Sequence, residues 1–159
     1  MGSQSNNDLA YIAGFLDGDG SLMLQIKKRR DGKKKWRFMA TICFYQDTRH
    51  EKTLHWIREV LGIGYLSRRA DGMSELRING YIQVRDILKK LLPYIKFKAV
   101  QAKSLIMATE ILSGTKFRML EKKQLLSLVT LTLVMQQENY VTKKKKTKEE
   151  LCIALGLTP

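Results

Sequence analysis

Two runs of period-two alternation, joined through Asp31-Gly32, constrain this chain more than any other feature. In "SLMLQIKKR" (21–29), Leu22, Leu24 and Ile26 fall on one side, with Ser21, Met23, Gln25 and Lys27 on the other. In "WRFMATICFYQ" (36–46), Phe38, Ala40, Ile42 and Phe44 alternate with Arg37, Met39, Thr41, Cys43 and Tyr45. Strand side chains point alternately to opposite faces, and Asp-Gly suits the left-handed positions of a tight turn. The runs therefore predict a long antiparallel hairpin with one apolar face and one polar, basic face. The apolar face has to be covered, so helices belong on that side and the charged side stays open.

The flanking segments supply those helices. Asp8 is placed to cap a helix from about Leu9, with Leu9, Ile12, Ala13 and Leu16 on one stripe and an end near Gly18–Gly20. Helical period returns over 49–61, with Leu54, Ile57 and Leu61 in register. "GYLSRRADGMSELRING" (64–80) predicts a second hairpin turning at Asp71-Gly72, with Leu66, Leu76 and Ile78 inward and Ser67, Arg69, Glu75 and Arg77 outward. "YIQVRDILKKLL" reads as a helix stopped by Pro93. Further helices are expected at about 99–112 and 119–136, although "LVTLTLV" in the second also alternates like a strand. A tail with five lysines in "KKKKTK" leads to a short helix near 147–155. The order α-β-β-α-β-β-α plus C-terminal helices is an α+β fold on one antiparallel sheet. It makes a single domain of 1–159, with a core at about 8–136 and a basic tail and short helix at 137–159.

Charge narrows the function. Lys and Arg number 29 against 15 Asp and Glu, a net +14, so the field favours polyanions: nucleic acid first, an anionic membrane surface second. A merely soluble basic protein is the bland alternative. The longest apolar tract, "LLSLVTLTLVM" (125–135), is too short to span a bilayer, and "MGSQSNND" lacks the features of a secretory signal. Cys43 and Cys152 form no CxxC pair, which favours a reduced, intracellular protein while leaving one disulfide open. Between Gln25 and Arg37 stand eight basic residues and one acid. A two-stranded ribbon fits the DNA major groove, where Gln25, Lys27, Arg29, Arg30, Arg37, Met39, Thr41 and Cys43 would face bases or phosphates. Lys33, Lys34 and Lys35 at the tip suit phosphate, and Ser67, Arg69, Glu75 and Arg77 extend the same face. A solvated charged hairpin is the competing reading.

"AYIAGFLDGDGSL" (10–22) carries small residues at Ala10, Gly14 and Gly18 and ends on Asp17 and Asp19. A helix with such a file admits very close approach of another, and a second copy about a twofold axis is the natural partner. The pairing would crowd four carboxylates, which repel unless a cation intervenes. Hard oxygen ligands suit Mg²⁺, and metal ions between carboxylates and a phosphate support phosphodiester hydrolysis. Taken alone, Asp-Gly-Asp-Gly reads more readily as a helix-ending solvated turn.

"IAGFLDGDG" (12–20) resembles the signature of the LAGLIDADG homing endonucleases. The long basic hairpin, "YQDT" at its end, "GIGYL" and "LLPYIKFKAVQA" (91–102) are similar to the single-motif, homodimeric branch. The resemblance covers about residues 8–112 and implies an αββαββα fold, with paired motif helices and saddle-shaped sheets in the major groove of a long pseudo-palindromic DNA site. It implies a site-specific endonuclease, intron-encoded, that leaves short 3′ overhangs. The catalytic residues carried over are Asp19, Gln46, Lys98 and His50. Asp19 and the Gly18 carbonyl would hold Mg²⁺, with Mn²⁺ or Ca²⁺ able to occupy the same sites. His50 stands where the branch has a basic side chain, unless Arg49 substitutes for it. Asp17 is expected to be structural, at an interface formed with Ala10, Ala13, Gly14 and Gly18. Double-stranded DNA and a second copy are the implied partners, and an organelle or prokaryotic cytoplasm the setting. An RNA-binding intron maturase and a non-cleaving DNA binder are the alternatives.

Overall fold

The computed structural model describes residues 4–30, 36–140 and 142–157. A first helix, α1 (Asn6–Asp19), runs directly into β1 (Gly20–Lys28), which pairs with β2 (Trp36–Asp47). A 3₁₀ turn (Thr48–His50) leads to α2 (Lys52–Leu61), then β3 (Tyr65–Arg68), β4 (Met73–Asn79) and α3 (Tyr81–Leu91). Beyond these lie α4 (Ala99–Gly114), α5 (Lys122–Glu138) and α6 (Lys148–Ala154). The αββαββα arrangement with added C-terminal helices is thus present. The four strands are antiparallel in the order β1-β2-β4-β3.

Alternation in the sequence sets which face is which. Leu22 opposes Ile42, and Leu24 opposes Ala40, in the β1–β2 ladder, and Ile42 and Phe44 oppose Ile78 and Leu76 across β2–β4. All are buried, packed with Ile12, Leu16, Leu54, Ile57, Leu88, Leu105 and Leu128 from the helices on that side. The β3–β4 connection turns at Gly72, whose φ of +82° needs glycine. At the α1–β1 junction, a Cβ on Gly20 would lie 2.6 Å from Leu16 Cδ1 and 2.8 Å from its carbonyl oxygen, so only glycine lets the strand leave the helix so tightly.

Two local expectations change, and the expected helix over "LVTLTLV" is borne out. The N-cap of α1 is Ser5, whose Oγ accepts from the Asp8 amide at 3.1 Å, so the helix begins a turn early and Asp8 falls in its first turn. The α5 segment begins at Lys122 behind a Glu121–Gln124 capping box, preceded by a 3₁₀ turn, Phe117–Met119. "LVTLTLV" is helical because Thr130 and Thr132 return their hydroxyls to the carbonyls of Leu126 and Leu128, removing the polar cost of the helix interior. Cys43 and Cys152 are both buried free thiols. Among the described residues no helix is long and apolar enough to cross a membrane.

Candidate active site and nucleic-acid interface

The end of α1 separates its two acids by role. Asp17 turns inward, where one carboxylate oxygen accepts from the amides of Lys96 (2.6 Å) and Phe97 (3.2 Å) and the other from Lys98 (3.0 Å). The Lys98 ammonium donates to the Asp17 carbonyl oxygen. Burial pulls the Lys98 pKa below its usual range, against the charges of Asp17 and Asp19 that favour its protonated form. Asp17 thus fastens the 95–98 loop and Lys98 to the motif helix. Asp19 instead is exposed and makes no hydrogen bond or ion pair among the described residues.

The outer surface of α1 is bare. A Cβ at Gly14 or Gly18 would meet nothing within 4 Å, so the protomer itself does not require glycine at either place. Ala10 is half-buried, and Gly14 and Gly18 are exposed. Ala13, expected with them, is instead 0% exposed within the protomer's own core, on the stripe with Ile12 and Leu16, and so is withdrawn from any outer interface. Asp17 likewise directs its carboxylate at its own chain rather than outward.

Near Asp19 the end of β2 contributes Gln46, since Phe44 opposes Gly20 and Gln46 lies two residues on. Gln46 Oε1 accepts from the Asp47 amide at 2.9 Å, leaving its Nε2 amino group without a bond among the described residues. Arg49 is committed to Asp47 through Nε (3.0 Å) and Nη2 (2.9 Å), and the pair brings the Asp47 carboxyl down to about 2. His50, next along the turn, is exposed. The turn is held by a network that sequence reasoning missed. Glu51 accepts from Arg68 Nη2 (2.5 Å) and Ser74 Oγ (2.6 Å), and Ser74 Oγ lies 3.0 Å from Thr48 Oγ1. The Arg68 guanidinium and the Ser74 hydroxyl bring the Glu51 carboxyl to about 2. Ser74 is also the cross-strand partner of Gln46, so one cluster fixes both the Gln46 strand end and the His50 turn.

On the open face, Gln25, Lys27, Arg29, Arg30 and Arg37 are exposed, and Met39 is half-buried. Lys33, Lys34 and Lys35 lie outside the described residues. Thr41 and Cys43 point to this face but are covered in the protomer. Each is a small side chain on the inner strand β2, with Met23 and Asn79 beside Thr41 and Ser21 and Arg77 beside Cys43 in the two ladders. The Thr41 hydroxyl is spent on Asn79 Oδ1 at 2.7 Å, and burial raises the Cys43 thiol pKa. Glu75 is also buried and paired with Arg77, while Arg69 is bound to Asp71 at 2.6 Å and Ser67 is half-buried. The Ser21 and Tyr45 hydroxyls lie 3.1 Å apart beside the acidic end, a pairing legible in the alternation only once the register is known. The lysine tail runs beside edge strand β1: Gln136 brackets the Lys146 backbone with two 2.9 Å bonds, Asn139 donates to Leu22 O, and the Lys146 ammonium sits 5.5 Å from the Trp36 ring centroid.

A sequence profile of the LAGLIDADG endonucleases matches residues 12–107, from the second turn of α1 into α4. The chain belongs to this family. At family level its function is that of a site-specific DNA endonuclease, an enzyme. It is 36% identical over 107 residues to the DNA endonuclease I-CvuI of Chlorella vulgaris, spanning 67% of this chain and 66% of that protein. It is 31% identical over 117 residues to the DNA endonuclease I-CreI of Chlamydomonas reinhardtii, spanning 73% and 71% respectively. The crystal structure of I-CvuI with the I-CreI target and 2 mM Mg, in which the DNA is not cleaved, superimposes with a TM-score of 0.74 at 30% identity, covering 96% of this chain and 97% of that one. Another I-CvuI complex was formed in 2 mM Ca. The archaeal I-Vdi141I bound to DNA shares the fold, with a TM-score of 0.80 at 20% identity over 95% of this chain and 96% of that one.

Proposed function

We propose that two copies of this chain pair through the bare surface of α1 and cleave both strands of a long pseudo-palindromic DNA site, leaving short 3′ overhangs. The observation that carries this reading is the Asp19 carboxylate: exposed, without a hydrogen bond or ion pair among the described residues, and at the end of a helix whose Gly14 and Gly18 leave room for a neighbour's backbone. Among the described residues of one protomer, no three His, Cys, Asp or Glu side chains converge as a metal site. A cation held between two chains fits this arrangement, with Asp19 and the Gly18 carbonyl of each as hard oxygen donors to Mg²⁺. When bound, the metal would neutralise charge on the scissile phosphate and lower the pKa of an attacking water.

The chain's own groups supply the rest. The Nε2 of Gln46 orients the water, whose oxygen adds to phosphorus as its proton passes to solvent, while a phosphodiester oxygen departs with the electron pair of its broken bond and takes a proton from solvent. Lys98, clamped by Asp17, offers positive charge to the phosphate, and His50 supplies a donor on the same side. The rows Ser21–Lys27 and Arg37–Tyr45 lie along the major groove, with Gln25, Lys27, Arg29, Arg30, Arg37, Met39, Arg69 and Arg77 as contacts and Ser67 at their margin. Lys33 to Lys35, between β1 and β2 in the sequence, serve as phosphate contacts. Thr41, Cys43 and Glu75 act beneath them by setting their neighbours. Intron RNA would be drawn to the same field, and competition by RNA in the cleavage assay tests that second partner. Two buried free thiols support a reducing setting, an organelle or a prokaryotic cytoplasm.

The test is Asp19→Asn with a randomised DNA library in Mg²⁺. Cleavage is expected to disappear while selected DNA is still bound, because the substitution removes a ligand charge without touching the groove face. Cleavage at the unsubstituted rate overturns the assignment.

A further inference from the structure

We propose that Arg77 reads a guanine in the inner part of each half-site and that Glu75 is the positioning residue that makes it do so. The inference rests on the groove-facing sheet proposed above and adds the base that one part of it selects.

Arg77 lies in a cross-strand row, Ser21–Cys43–Arg77–Tyr65, that crosses the whole sheet. Glu75, two residues earlier on β4, shares its face and stands opposite Tyr45. The Glu75 side chain is 11% exposed, against 38% for Arg77. Arg77 Nε donates to Glu75 Oε1 at 2.7 Å, and its Nη2 lies 3.4 Å from Oε2. The carboxylate therefore engages one edge of the guanidinium and leaves the other, built from Nη1 and the second Nη2 hydrogen, without a hydrogen bond among the described residues on a side chain that is 38% exposed. That edge is a planar two-donor fork, matched to O6 and N7 of guanine in the major groove.

Two features favour a base over a phosphate. A carboxylate in contact with Arg77 cancels much of its long-range pull on phosphates but keeps the direction of its donors. The row around it is uncharged, with the Cys43 thiol beneath and the Ser21–Tyr45 hydroxyl pair beside it. The most exposed cations of the face gather elsewhere: the Lys27–Arg37 pair stands six residues further along β1 than Ser21. At about 3.3 Å per residue that separation is roughly 20 Å, on the order of six base pairs. The sheet thus divides its labour, with charge at the outer end and the oriented Arg77 fork near the Asp19 end.

The experiment is selection of cleaved or bound sites from a randomised library by the full chain, compared with R77A, R77K and E75A. The unsubstituted chain is expected to enrich guanine at one inner position of each half-site by roughly five- to a hundredfold. R77A and R77K should both flatten that position and leave the others alone, since lysine keeps the charge but lacks the fork. R77K also preserves size and charge should alanine fail to fold. E75A should weaken the preference several-fold at the same position. If R77A lowers affinity uniformly and reduces the salt dependence while the base profile is kept, Arg77 holds a phosphate and the proposal fails. If E75A has the profile of the unsubstituted chain, its positioning half fails. If the unsubstituted chain enriches no sequence at all, the endonuclease reading falls and this inference with it.

Discussion

Gly14→Ala has opposite signs for the protomer and for the pair. Within one protomer the new methyl meets no atom inside 4 Å, and the residue lies in the interior of the 14-residue helix α1. Replacing an unobstructed helical glycine by alanine stabilises by about 0.5–1 kcal/mol, mostly through the unfolded chain. Between two copies the same methyl enters a contact that glycine keeps close. Each inserted group in a tight contact costs about 1–3 kcal/mol, and a twofold axis doubles the count, so the pair should weaken by about 2–6 kcal/mol. At 1.4 kcal/mol per tenfold, dissociation should become easier by a factor of roughly 30 to 10⁴. The helix-propensity gain is common to free and paired protomers and drops out of that constant. Sedimentation equilibrium over a dilution series measures the association, and urea unfolding at concentrations below it measures the protomer. An unchanged association constant, or a less stable protomer, would refute the reasoning, since either means that the surface beside Gly14 is not the contact.

The remaining predictions concern the clamps around the site. Asp17→Ala leaves three backbone amides without their acceptor, although those of the exposed loop can partly rehydrate. A loss of about 3 kcal/mol is expected, a fall in Tm of roughly 6–12 °C, together with reduced cleavage as Lys98 loses its anchor. Unaltered melting would show that the carboxylate does not secure the loop. Glu51, drawn from its ordinary 4.5 to about 2 by Arg68 and Ser74, contributes stability that is complete above about pH 4.5 and vanishes as pH falls toward about 2. Urea midpoints measured across that window should fall less steeply for Glu51→Gln than for the unsubstituted chain. Parallel curves would remove Glu51 from the network's stabilising role.

The sequence alone determined everything that depends on local parity. Alternation over 21–27 and 37–45 assigned each side chain to the apolar or open face, and the burial of Leu22, Leu24, Ile26, Phe38, Ala40, Ile42 and Phe44 follows from it. The motif resemblance located Asp19 and marked Asp17 as structural, in keeping with Asp17's inward bonds to the 96–98 amides. Tertiary structure decided what parity cannot express, which is what each side chain meets. Cys43 and Thr41 share the orientation of Arg37, yet two flanking strands overtop them. Arg49 and Arg68 are indistinguishable as sequence, yet Asp47 takes the first and Glu51 the second. Ala13 has the same chemistry as Ala10 but lies about a sixth of a turn round the helix, in the core. Nothing local assigns the lysine tail a partner, whereas Gln136 and Trp36 hold Lys146 beside β1. Backbone periodicity is written within a few residues, whereas these partners lie up to about a hundred residues away, and only the folded chain brings them within hydrogen-bond range.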